Sequence, residues 1–159
     1  MTHDPHDQRW LARAVELATA NVGAGGGPFG ALIVRDGAEV STGVNRVTRD
    51  LDPTAHAEVV AIRLACTALE TFSLEGCVLY TSCEPCPLCI SAALWARVDR
   101  VVFAADRDHA AEGGFDDREF YDLFGRDRAT WSMPVAHVTT GDDFAPFRTW
   151  LADEHRTHY

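Results

Sequence analysis

Three thiols and an imidazole constrain this chain more than anything else in it. Cysteines stand at positions 66, 77, 83, 86 and 89, so three of the five fall within seven residues, and His56 and Glu58 lie upstream of them. Five cysteines cannot all pair, and such crowding suits a reducing compartment and a metal ion better than a disulfide framework. One imidazole and two thiolates fill three tetrahedral positions on zinc and leave the fourth for water, as in a catalytic centre. Cys86 and Cys89 are three apart, so on a helix they project from one face. Near the N-terminus of that helix the free N–H groups and the dipole favour the thiolate form that binds metal. The fold must therefore bring the His56 region to the Cys86 region.

Residues 7–21 place Trp10, Leu11, Val15 and Leu17/Ala18 at helical spacing, and glycines between 23 and 27 end that helix. Two short β-type runs, 29–34 and 39–44, flank Asp36-Gly37, a dipeptide that closes tight hairpins. Asp52-Pro53-Thr54 reads as a helix start, with the helix running over 55–69 and beginning beside His56. A strand is expected at 77–81, a helix at 86–95 and a strand at 100–105, an alternation that implies parallel crossovers. Residues 106–114 read as a loop, 116–124 as a short helix, 135–139 as a last strand and 144–155 as a terminal helix. The expected fold class is α/β, a three-layer α/β/α sandwich on a mixed five-stranded sheet, built as one domain over residues 1–159.

His56-Ala57-Glu58 followed by Pro85-Cys86-Pro87-Leu88-Cys89 matches the signature of the zinc-dependent nucleobase deaminases, H-x-E with P-C-x-x-C. The metal ligands are then His56, Cys86 and Cys89, the cofactor is Zn2+, and Glu58 reaches the fourth position without being a ligand. Zinc acidifies its water toward neutral pH, and the resulting hydroxide attacks an amidine-like ring carbon. Glu58 takes the water proton, delivers one to the ring nitrogen and helps protonate the departing amine. Blander readings are a structural zinc, a redox CxxC pair and plain buried thiols. A redox pair has no need of His56 and Glu58, and a structural zinc takes a fourth ligand, for which Cys83 is the only evident candidate.

Longer stretches carry a closer resemblance. Residues 52–58 and 80–89, Gly26-Gly27-Pro28-Phe29-Gly30-Ala31, and Ala110-Ala111-Glu112-Gly113-Gly114-Phe115-Asp116-Asp117 resemble the bacterial guanine deaminases of the cytidine deaminase superfamily. Leu88 stands where methionine is common in them, and Gly113 where alanine is frequent. The resemblance implies a cytidine deaminase-like fold and hydrolysis of guanine to xanthine and ammonia, with attack at C2. It implies that Asn45 binds the purine through its amide, that Phe29 walls the pocket, and that Ala57 belongs to the substrate site. Asp117, with Asp116 as the weaker candidate, would accept hydrogen bonds from the purine N–H edge. It also implies a homodimer in which the C-terminal segment, about residues 140–159, crosses to cover the partner's active site with Tyr159. Read without the resemblance, Asn45 closes a turn, Phe29 is core, Asp116 caps a helix and Tyr159 is a frayed end.

The net charge of −10 sets the surface against a nucleic-acid backbone, so a small-molecule purine is expected as partner and no nucleic acid. That weighs against a tRNA adenosine deaminase, which the shared motifs alone would admit. Other small aminated heterocycles, such as guanosine, an aminotriazine, a pterin or cytosine, stay open on the same metal chemistry, and a non-catalytic zinc module has no use for Glu58. No apolar run is long enough to cross a bilayer and none follows a basic start, so no membrane partner and a cytoplasmic location are expected.

Overall fold

A two-residue hairpin opens the sheet because Asp36 and Gly37 both take positive φ, 52° and 73°, the geometry of a type I′ turn whose twist matches its strands. In the computed structural model, which describes residues 6–159, this turn joins β1 (Gly30–Arg35) to β2 (Ala38–Val44), antiparallel with Arg35 opposite Ala38. β3 (Cys77–Cys83) pairs antiparallel with β1, and β4 (Arg100–Ala105) pairs parallel with β3. The order is β2-β1-β3-β4, a mixed sheet of four strands rather than the expected five. Residues 135–139, expected as a fifth strand, take no strand structure. Val135, Val138 and Thr139 give this stretch a β-type composition, but a strand also needs a partner edge, and no pairing involving these residues is formed. The β3–β4 connection is a parallel crossover between neighbours, and the β2–β3 connection is another that skips β1, since β2 and β3 both run antiparallel to β1.

Helices cover both faces. α1 (Asp7–Gly23) buries Trp10, Ala14, Ala18 and Asn21 at spacings of three and four, and its side of the sheet is Leu32, Val34 and Tyr80. The alternate residues Ala31, Ile33, Cys77 and Leu79 point to the other face, into a core with Ala57, Ala61 and Ala65 of α3 (Ala57–Ala68) and Ala93 and Ala96 from α4 (Pro87–Trp95) and its end. Burying Leu32, Ile33 and Leu79 contributes roughly 1.5–3 kcal/mol each. The alanines let α3 approach closely. A Cβ on Gly43 of β2 would lie 2.1 Å from the Ala57 carbonyl oxygen and 2.6 Å from the Ala61 nitrogen, so only glycine admits α3 at this depth. α3 begins at Ala57, and the residues ahead of it include a one-turn helix α2 (Val47–Asp50) that the polar composition did not announce.

A buried polar group ties α1 across the sheet. Tyr80 donates its hydroxyl to Asp7 Oδ1 at 2.8 Å, and the Arg100 guanidinium grips both Asp7 oxygens at 2.6 and 3.1 Å. Burial and the Asp7 carboxylate push the Tyr80 phenol up to about 12.

After β4 the chain forms α5 (Arg107–Glu112), where a loop was expected, and α6 (Arg118–Phe124). The Asp106 side chain accepts from the N–H groups of Asp108 and His109, and this cap starts α5 despite its polar residues. The chain divides into two compact units, Met1–Tyr121 and Asp122–Tyr159. The second has α7 (Ala145–Ala152), shorter than expected, with Phe144 against Phe147 and Trp150 edge-on to Tyr159. None of its side chains is buried. No described helix is long and apolar enough to cross a membrane.

Candidate metal centre and active site

Two helix starts converge. His56 immediately precedes α3 and Cys86 immediately precedes α4, both with extended backbone (ψ 153° and 168°), and Cys89 sits in the first turn of α4. The three ligand atoms form a near-equilateral triangle: Cys86 Sγ to His56 Nδ1 3.5 Å, Cys89 Sγ to His56 Nδ1 3.4 Å, and Sγ to Sγ 3.6 Å. Tetrahedral zinc with bonds of about 2.3 Å to sulfur and about 2.0–2.1 Å to nitrogen needs edges of roughly 3.5–3.8 Å. The donor set and its spacing fit zinc, and these three residues are the group of metal-binding character found among the described residues. The Cys89 thiol bonded to Cys86, together with His56, holds the Cys86 thiol well below its ordinary range, while that shared bond and burial raise Cys89. His56 is raised by its bond to Cys86.

Glu58 closes the fourth side. It is 5% exposed, its Oε2 lies 3.4 Å from Cys89 Sγ, and its Oε1 accepts from the Thr81 hydroxyl at 3.2 Å. Burial raises its carboxyl, moving it toward the range where it can both take and give a proton near neutral pH. Thr81 escaped the sequence reading. The signal for it is parity, since it follows Cys77 and Leu79 on the α3 side of β3. Cys83 is buried with its thiol donating to the Asp106 carbonyl at 3.7 Å, and burial pushes it up to about 11. It stays a protonated thiol outside the ligand triangle.

Above this centre opens a cavity of about 630 Å³ whose lining includes Phe29, Asn45, His56, Glu58, Asp116 and Asp117. Phe29 meets Phe115 edge to face with centroids 5.0 Å apart, and Phe115, Phe120 and Pro53 complete an apolar wall that the sequence did not single out. Asn45 follows β2. Its Oδ1 accepts from the Val47 N–H at 3.3 Å, so it does close a turn, and it lines the cavity as well. Asn21 fastens this corner, donating to the carbonyls of Gly27 and Asn45 at 2.8 and 2.9 Å. Ala57 is fully buried and lies outside the cavity lining. As first residue of α3 it has an N–H with no acceptor inside the helix.

The two neighbouring aspartates part company. Asp116 is spent on Arg118, which it binds through both oxygens at 2.8 and 2.6 Å. Asp117 Oδ1 is buried without a hydrogen-bond partner, and burial with the nearby Cys86 sulfur raises its carboxyl. Such an acceptor calls for a donor from a ligand. Tyr159 lies in the second unit, where its ring centroid is 6.4 Å from that of Trp150.

An α/β/α sandwich that points two helix starts, bearing H-x-E and P-C-x-x-C, into one cavity is the build of a hydrolytic zinc deaminase. The chain belongs to the family of the cytidine and deoxycytidylate deaminase zinc-binding region, which matches residues 4–105. Within it, the chain is 47% identical over 153 residues to the guanine deaminase of Bacillus subtilis, covering 96% of this chain and 98% of that protein. The crystal structure of the guanine deaminase from Bacillus subtilis superimposes with a TM-score of 0.93 at 46% identity, over 100% of this chain and 99% of that one. A tRNA-specific adenosine deaminase of Aquifex aeolicus is equally identical, 47%, over only 83 residues, 52% of this chain and 55% of that protein.

Proposed function

We propose that the chain is a zinc-dependent guanine deaminase, converting guanine and water to xanthine and ammonia. The observation that carries this is the unpartnered Asp117 oxygen in the cavity above the His56, Cys86 and Cys89 triangle. Guanine offers ring N–H donors to such an acceptor, where the edge of adenine differs. The likeness to a guanine deaminase along nearly the whole of both chains supports the same reading, whereas the likeness to the tRNA-specific adenosine deaminase of Aquifex aeolicus stops near half of each chain.

His56, Cys86 and Cys89 hold the metal, which when bound supplies a Lewis acid that acidifies water near neutral pH. Glu58 takes the water proton on the oxygen facing Cys89 and passes it to the ring nitrogen beside C2, then serves the leaving amine. Thr81 keeps the other carboxylate oxygen in place. Asn45 and Asp117 hold the purine edge, and Phe29 and Phe115 cover its face.

The chain works as one deaminase domain in a homodimer, with residues 140–159 crossing so that Tyr159 lines the partner's pocket. The apolar side chains Phe144, Phe147 and Leu151, more than half exposed in the second unit, support this because a lone segment gains nothing by showing them to water. Free cysteines throughout suit a cytoplasmic location.

The test is a panel of guanine, guanosine, adenine, cytosine, ammeline and a tRNA anticodon stem with the zinc-loaded protein, followed by ammonia release. Xanthine from guanine is the expected product. Turnover of another member with guanine inert refutes the assignment.

A further inference from the structure

The turn that carries Cys86 is gripped from outside by two residues that take no part in metal binding. Tyr121 in α6 donates its hydroxyl to the Pro85 carbonyl at 2.7 Å, directly ahead of Cys86. Glu84, one residue earlier, accepts from Arg107 through Nε at 3.0 Å, through a second guanidinium nitrogen, and from the Arg107 N–H at 3.1 Å. The Arg107 guanidinium also lies over the Tyr121 ring, 3.7 Å from its centroid. Arg107 and Tyr121 thus stack on each other while each holds one of two consecutive residues of the metal turn.

Those same two residues are the ends of the segment bearing Phe115 and Asp117. Neither α5 nor α6 has a buried residue, so hydrophobic burial does little to register this segment against the rest of the fold. Phe115 on Phe29 is one apolar contact it makes, and directional polar bonds do most to set its placement. We infer that the Arg107–Tyr121 stack is a latch docking the recognition segment onto the metal-ligand turn, and that Tyr121 is a positioning residue fixing Asp117 relative to the metal centre. This rests on the proposed role of Asp117 in holding the substrate edge.

Tyr121→Phe keeps the ring and its stack and removes one donor. It should raise KM for guanine by roughly three- to tenfold, the factor that one hydrogen bond is worth, with kcat and zinc content near those of the unaltered enzyme. Asp117→Asn should raise KM further. The double variant should be little worse than Asp117→Asn alone, because both changes act through one carboxylate. Arg107→Gln, which loses the charge on Glu84, should repeat the KM shift. A Tyr121→Phe enzyme with a lower melting temperature and an unchanged KM overturns the inference, as does an effect that adds in full to that of Asp117→Asn. An unaltered chain inert toward guanine removes the proposed function and this inference together. An active one whose Tyr121→Phe variant keeps its KM removes this inference alone.

Discussion

Replacing Glu58 by Gln removes one proton-carrying oxygen and almost nothing else. The amide has the carboxylate's shape, its oxygen can still accept from Thr81 at the observed 3.2 Å, and the residue is not one of the three metal ligands. Zinc content should therefore be unchanged. Stability should hold as well, since burial already opposes the charged form of Glu58, and a neutral amide avoids that cost. Catalysis should not hold. Each positioned proton transfer contributes about 10²–10⁴-fold, and Glu58 serves at least two, so a loss of at least ~10³ in kcat is expected. That corresponds to about 4 kcal/mol of barrier at 1.36 kcal/mol per factor of ten. The assay is xanthine formation followed by absorbance, with zinc per chain and melting temperature measured on the same preparation. A variant with full zinc whose kcat stays within about tenfold of the unaltered enzyme would refute the assignment of Glu58 as the proton carrier.

Metal removal is the second test. Stripping zinc with a strong chelator should abolish turnover and lower the melting temperature, one equivalent of zinc should restore both, and magnesium should not, because it demands an octahedral oxygen site. Gly43→Ala drives a Cβ into the Ala57 carbonyl and should destabilise by about 3 kcal/mol, read as a thermal melt lowered by roughly 6–12 °C; an unchanged melt contradicts the close α3–β2 approach. The pH dependence of stability gives a fourth test. The Arg107 guanidinium lowers the Glu84 carboxyl below its ordinary 4.5, so the pair's contribution is present above that value and is lost as pH falls through the lower folded-state value. Chemical denaturation between pH 6 and pH 3, within the carboxylate range, should show a shallower acid slope for Arg107→Gln than for the unaltered chain, and equal slopes would count against the pair.

The metal ligands were legible because their spacing is local. His56 and Glu58 straddle one helix start and Cys86 and Cys89 span one turn of another, so no tertiary knowledge was needed to group them. Asp36-Gly37 was legible for the same reason, as its backbone demand is met within two residues. The cavity wall was harder. Phe115 and Phe120 look like ordinary apolar residues until the segment folds back, and the contact of Phe115 with Phe29 spans far more sequence than any periodicity covers. α5 was hidden because a run of Asp, His and Ala has no apolar face, and it is the Asp106 cap that forms it. The fifth strand failed for a different reason. Val135, Val138 and Thr139 favour a strand by residue type, but pairing is a property of two segments and local composition describes only one.

The placement of His56 and Cys86 just ahead of their helices bears on how the protein acquires its ion. Each ligand is aimed by the first turn of the helix it precedes, and those helices are anchored by an alanine-lined core in which none of the three ligands takes part. The apoprotein should then present its triangle ready-made, so that loading resembles docking into a rigid socket and involves little rearrangement of the chain. Such a centre can lose and regain its ion repeatedly without passing through an unfolded chain, unlike a small domain that collapses when its zinc leaves.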